Sequence, residues 1–234
     1  MSKVSVITGM MLGGMVIGGA VSAQTITAFD LASPVPGNQQ YGATVGVEIS
    51  VNTPIVVTSL GAFDAANATG TAHTLNGTII TTIYSSVNQQ AVAGLSTTFT
   101  AASPGTLAGG YLFKPTAGVT LPVGNYVVAF TSVNNNDPIG NSTQGAFTPP
   151  AYNEGANQIT INKTQFRYNT TDFSGLDKYP LFTTPGQLNA GSFRFSANTP
   201  EPGTLSLFGG LIVMGSSALI RRRRSARVAR LRQA

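Results

Sequence analysis

The chain has 234 residues, 42% hydrophobic and 9% charged, with a formal charge of +5, a length that suits one domain of ordinary size once non-structural ends are removed. It contains no cysteine, which excludes a disulfide framework and a thiolate metal site. The positive charge is local: Arg221, Arg222, Arg223, Arg224, Arg227, Arg230 and Arg232 are seven of the thirteen basic residues, while Gln24 to Pro202 holds five basic residues against all eight acidic ones, a formal −3 that argues against a nucleic-acid surface on the body.

At the N-terminus, Lys3 gives a short positive start. Val4 to Ala20 is apolar with five glycines, and Val21-Ser22-Ala23 places small residues before Gln24. These are the three parts of a secretory signal peptide, so residues 1–23 are expected to be removed between Ala23 and Gln24.

The body, residues 24–198, is rich in Thr, Asn, Gly and Ser and poor in Lys and Glu, which suits solvent-facing strands and turns. Tyr41 to Val51 alternates, with Tyr41, Ala43, Val45, Val47, Ile49 and Val51 on one face, the pattern of a half-buried strand. Further strands are expected at Ile55 to Phe63, Thr78 to Ser85, Leu95 to Thr100, Gly110 to Lys114 and Tyr126 to Val133. Three more follow at Gln158 to Ile161, Gln165 to Tyr168 and Ser192 to Ser196. Tyr126 to Phe130 is apolar on both faces, as in a central strand packed between layers. Asn134 to Asn141 and much of Thr148 to Gly155 are expected to be loop, an irregular excursion of the kind that carries binding function on a β scaffold. No amphipathic helix interrupts the series, so the fold class is all-β, a single jelly-roll-like β-sandwich.

After the body, Pro200-Glu201-Pro202 can be neither helical nor paired in a sheet, and is left as an extended, accessible peptide. Residues 204–220 carry no charge, and the 18 residues from Gly203 span about 27 Å as a helix, just enough to cross a bilayer core. Arg221, Arg222, Arg223 and Arg224 follow directly and are expected to stay in the cytoplasm as a stop signal, with the body outside.

Residues 199–234, with Pro200-Glu201-Pro202, an apolar span and an arginine cluster in that order, resemble the PEP-CTERM sorting signal of exported bacterial proteins. The same tail is also called an ice-binding protein C-terminal domain, a name that describes the tail and not an affinity for ice. The resemblance implies export machinery and an exosortase as partners, an inner-membrane anchor before cleavage near Pro-Glu-Pro, and then cell-surface or extracellular localisation. It also implies a host that makes exopolysaccharide or biofilm matrix. A second resemblance covers Val56 to Val133, through "VTSLGAFDAAN", "AHTLNGTIITTIYS", "LAGGYLFKP" and "VTLPVGNYVVAF". These phrases resemble a jelly-roll domain of unassigned function found in surface proteins, and imply a fold rather than an activity.

Catalytic signals are thin. His73 is the one histidine, nine residues after Asp64, and the nearest approach to a Gly-x-Ser-x-Gly elbow, "GLSTT" at Gly94, lacks its closing glycine. Asp172 and Asp177 are the closest carboxylate pair, and glycoside hydrolysis needs two facing carboxyls. Asp137 with Asn134, Asn136 and distant Glu154 offers a sparse oxygen set for calcium, better explained as turn chemistry. Five Asn-x-Thr triplets, at Asn67, Asn76, Asn141, Asn162 and Asn169, are what a Thr- and Asn-rich chain generates by chance. Tyr152, Tyr168, Phe173 and Tyr179 lie in an Asn-rich part of the body. Tyr152, Tyr168 and Tyr179 are the candidate ligand contacts, because carbohydrate is held by aromatics beside amides and carboxylates. No cofactor, metal or catalytic residue is expected. The sequence thus leads to a non-enzymatic exported surface or matrix protein near exopolysaccharide. A carbohydrate-binding module is the alternative, and a secreted hydrolase the third.

Overall fold

The computed structural model describes residues 24–32, 35–64, 75–133, 137–167 and 178–197. They fall within one compact unit, Ala23–Asn198. All regular structure among them is β. The first strands are β1 (Ile26–Thr27), β2 (Phe29–Asp30), β3 (Thr44–Val51), β4 (Ile55–Phe63), β5 (Thr78–Ser85) and β6 (Ala91–Phe99). Then come β7 (Thr106–Ala108), β8 (Tyr111–Leu121), β9 (Gly124–Val133), β10 (Gly140–Asn141) and β11 (Ala151–Tyr152). The series closes with β12 (Ile159–Arg167), β13 (Phe182–Pro185), β14 (Leu188–Asn189) and β15 (Gly191–Ala197). The expected all-β class is therefore what the described residues adopt.

Five strands form one sheet in the order β1-β15-β4-β8-β7, and six form another in the order β13-β12-β3-β9-β5-β6. Two short ribbons, β10-β14 and β11-β2, complete the set. The pairs β3–β9, β4–β8 and β5–β6 are antiparallel and nested in sequence, each inside the one before. The partners of a nested pair meet without a crossover, as in one long hairpin folded over itself.

Alternation decides what each strand buries. In β3, Val45, Val47, Ile49 and Val51 enter the core, together with Ile79 and Ile83 of β5, Val128 and Phe130 of β9 and Ile159 and Ile161 of β12. Val57 and Leu60 of β4 and Phe193 and Phe195 of β15, from the other sheet, join the same cluster. The Thr81 hydroxyl donates to the Gly61 carbonyl at 3.0 Å, a buried polar link from the six-stranded sheet to the five-stranded one. The two-sided apolar character of β9 also has its reason: Val127 and Ala129 form a second cluster with Tyr84, against which Tyr179 packs.

Two expected boundaries are corrected by bulges. The strands expected at Gln158 to Ile161 and from Gln165 onward are, over the described residues, one strand, β12, whose register slips between Asn162, opposite Glu48, and Gln165, opposite Val47. The strand expected at Gly110 to Lys114 runs on to Leu121, because the register between Val57 and Ser59 of β4 lets β8 loop out between Pro115 and Val119. The expected excursion is also partly paired: Gly140–Asn141 lies on β14 and Ala151–Tyr152 on β2.

The registers gather four connections at one end of the body. Val51 faces both Gly124 and Ile159, and Ile55 faces both Leu121 and Ala197. The Ser86 N–H donates to the Asn125 carbonyl at 3.0 Å. Turns 52–54, 86–90 and 122–123 and loop 153–158 thus lie together. Both described ends of the body join them, since Ile26 faces Phe195 and Ala197 faces Ile55. Among the described residues no helix is long and apolar enough to cross a membrane; the expected span 204–220 lies outside them.

Candidate functional site

At the end where the chain enters and leaves, residues 152–157 line an open groove of about 440 Å³. Tyr152 is held there from behind. Its backbone pairs with Phe29, and its ring meets the Phe29 ring edge-on with centroids 5.7 Å apart. Burial raises the Tyr152 hydroxyl above the usual phenol range.

The floor of the groove is a tight left-handed turn. Gly155, Ala156 and Asn157 have φ of 61°, 54° and 69°. The Asn153 side-chain oxygen accepts from the Gly155 N–H at 3.1 Å, an Asx turn that starts the reversal. Ile159 N–H donates to the Glu154 carbonyl and Ile161 N–H to the Glu154 carboxylate, at 3.1 and 2.9 Å. Asn52 Nδ2 donates to the Asn157 carbonyl at 3.0 Å, locking the turn to the β3–β4 connection. At Gly155 a Cβ would approach the Phe195 ring to 2.9 Å. Ala156 adopts the same handedness without glycine's freedom, a strained conformation of the sort retained where a loop has a job. The resulting surface offers one aromatic face, two amides (Asn153 and Asn157) and one carboxylate (Glu154) whose oxygen already serves the fold.

Two of the three candidate ligand contacts, Tyr152 and Tyr179, lie among the described residues. Of these two, Tyr152 lines the groove. Tyr179 is packed edge-on against Tyr84, centroids 5.9 Å apart, in the cluster with Val127 and Ala129. Tyr168 lies outside the described residues, as do His73, Phe173, Asp172, Asp177, Ala23, Pro200, Glu201, Pro202 and Arg221 to Arg224. Gln24 is exposed at the start of the described body. Glu154, with the left-handed turn behind it, lines the groove but is not among the expected ligand contacts. Its signal was the local "YNEGANQ", where Asn and Gly flank a lone acid.

Of the sparse calcium set, Asn134 and Asn136 lie outside the described residues, and Asp137 and Glu154 lie apart. Asp137 is buried and its two oxygens accept from the backbone N–H groups of Asn76 and Gly77, both at 2.9 Å. It follows the Val133 end of β9, whereas Glu154 sits by the Gly124 end, about 30 Å away at 3.3 Å per residue. No group of three acids, histidines or cysteines that could hold a metal occurs among the described residues. Glu48 accepts from Asn162 Nδ2 at 3.1 Å. Asn141, within one of the Asn-x-Thr triplets, is buried, with its own oxygen accepting from the Thr143 N–H and hydroxyl.

No protein-family model matches the chain, and no curated protein matches it.

Proposed function

We propose that the chain is an exported precursor whose β body ends at the cell surface or in the extracellular matrix, in a structural or adhesive role beside exopolysaccharide. The observation that carries this is the position of the two exits: Gln24 and Ala197 leave the body side by side. A signal peptide at 1–23 and a sorting tail at 199–234 therefore attach to the same end of the body. The export machinery removes the first segment, and an exosortase cuts the second near Pro200-Glu201-Pro202. The inner membrane holds the chain only before that cut. The nested pairs β3–β9, β4–β8 and β5–β6 support a jelly-roll-like sandwich, which β12 and β15 extend by one strand each beside β3 and β4.

A carbohydrate-binding module is the second reading, favoured by the groove. The Tyr152 ring offers a stacking face for a sugar ring, while Asn153 and Asn157 bring neutral donors and acceptors. Co-sedimentation with the host's own exopolysaccharide tests it. Tyr152→Ala is expected to weaken retention several-fold, with Tyr179→Ala carried as the fold-anchoring comparison. Equal retention of Tyr152→Ala and the parent chain removes the groove from the account and leaves the structural role.

A further inference from the structure

We infer that, while the precursor is tethered, the end of the body carrying both chain exits rests on the lipid headgroups and touches them through Val87 and Val123. This rests on the proposed membrane span at 204–220. Val87 is 89% exposed and Val123 62% exposed. They occupy the β5–β6 and β8–β9 turns, which the Ser86 to Asn125 hydrogen bond makes neighbours. A turn gains nothing in water from valine, since Gly, Asn, Asp and Ser serve it better. One exposed apolar side chain is ordinary; two on adjacent turns, at the end where the chain departs, form a patch with a direction.

The surroundings fit a neutral lipid surface. Turns 52–54, 86–90 and 122–123 contain no charged residue. The one charge in loop 153–158, Glu154, accepts from the Ile161 N–H. Contact is therefore apolar and interfacial, independent of anionic lipid. The other exposed large apolar side chains, Leu181 and Phe182, belong to the opposite half of the six-stranded sheet, where Phe182 faces Arg167 and Arg167 faces Val45.

Tether length closes the geometry. Six residues, Asn198 to Gly203, separate Ala197 from the span, and fully extended they reach at most about 22 Å. The ten residues of β9 alone span about 33 Å. A body on so short a tether cannot turn its far end to the bilayer.

Because the chain has no native cysteine, single cysteines carry a fluorophore cleanly. The full chain is reconstituted in phosphatidylcholine vesicles with labels at Val87→Cys, Val123→Cys, Gln144→Cys and Leu211→Cys, and quenching by lipids brominated on the acyl chain is read. The expected result is strong quenching at 211, several-fold more quenching at 87 and 123 than at 144, and no change when phosphatidylglycerol is added. Quenching at 211 with 87 and 123 no different from 144 overturns the docking face and leaves the tether standing. Absence of quenching at 211 overturns both.

Discussion

Ala156 is the residue at which the groove is most visibly held under strain. Left-handed backbone costs a side-chain-bearing residue about 1–2 kcal/mol, and φ of 54° places Ala156 there. Ala156→Gly is therefore expected to raise stability by about 1 kcal/mol, read as a shift of the urea midpoint. Gly155→Ala is expected to cost about 2 kcal/mol or more, because the same handedness now combines with the Phe195 ring at 2.9 Å. Tyr111 is a second site of tension. Its ring is wholly buried between Phe63 and Phe113, and its hydroxyl finds no hydrogen-bond partner among the described residues. Burial, then the neighbouring Tyr152 and Asp30, push its ionisation far above the phenol range. Burial raises Tyr126 and Tyr152 in the same direction. A folded-state value above the unfolded one contributes stability that is full below about pH 10 and is lost as pH rises beyond it, since the unfolded chain ionises first. Lys114 is shifted down by burial and acts in the opposite sense, but it is largely solvated. The melting temperature is expected to be flat near neutrality and to fall above about pH 10. Tyr111→Phe is expected to melt at or above the parent temperature and to show a shallower alkaline fall, because it removes an unpaired buried hydroxyl.

At the level of elements, the β9 exit depends on Asp137, which ties it to the start of β5. Its carboxylate holds the N–H groups of Asn76 and Gly77. Asp137→Ala leaves both without that acceptor and is expected to cost about 2 kcal/mol, with Asp137→Asn losing less, as denaturant titration reads. The long strands were legible because alternation in "ATVGVEISV" or the apolar run "YVVAF" reports burial directly. What hid β12 as one strand was Asn162-Lys163-Thr164, which breaks the alternation where the register slips by two residues. Pro115 and Gly118 similarly read as the end of β8, though the bulge opposite Val57 and Ser59 carries the strand past them. The ribbons β11–β2 and β10–β14 have two residues a side. Their pairing is a product of tertiary closure and leaves no period to read. In the groove, an aromatic among amides marked Tyr152, but Tyr179 carried the same composition and serves the outer face of the six-stranded sheet. Only the strand registers separate the two.

Over the whole molecule, a weakly acidic body draws one core from both sheets, gathers both exits at one end, and engages three of its five described carboxylates, Glu48, Asp137 and Glu154, in hydrogen bonds within the fold. The proposal is that this body is carried out of the cell and then released or retained at its surface. The most direct test of that account is terminal-peptide mass spectrometry on the protein recovered from surface and culture fractions of its host. A mature chain beginning at Gln24 and ending near Pro200-Glu201-Pro202 is the predicted result. An intact chain ending at Ala234 and persisting in the inner membrane would contradict it, making the arginine tail a permanent anchor.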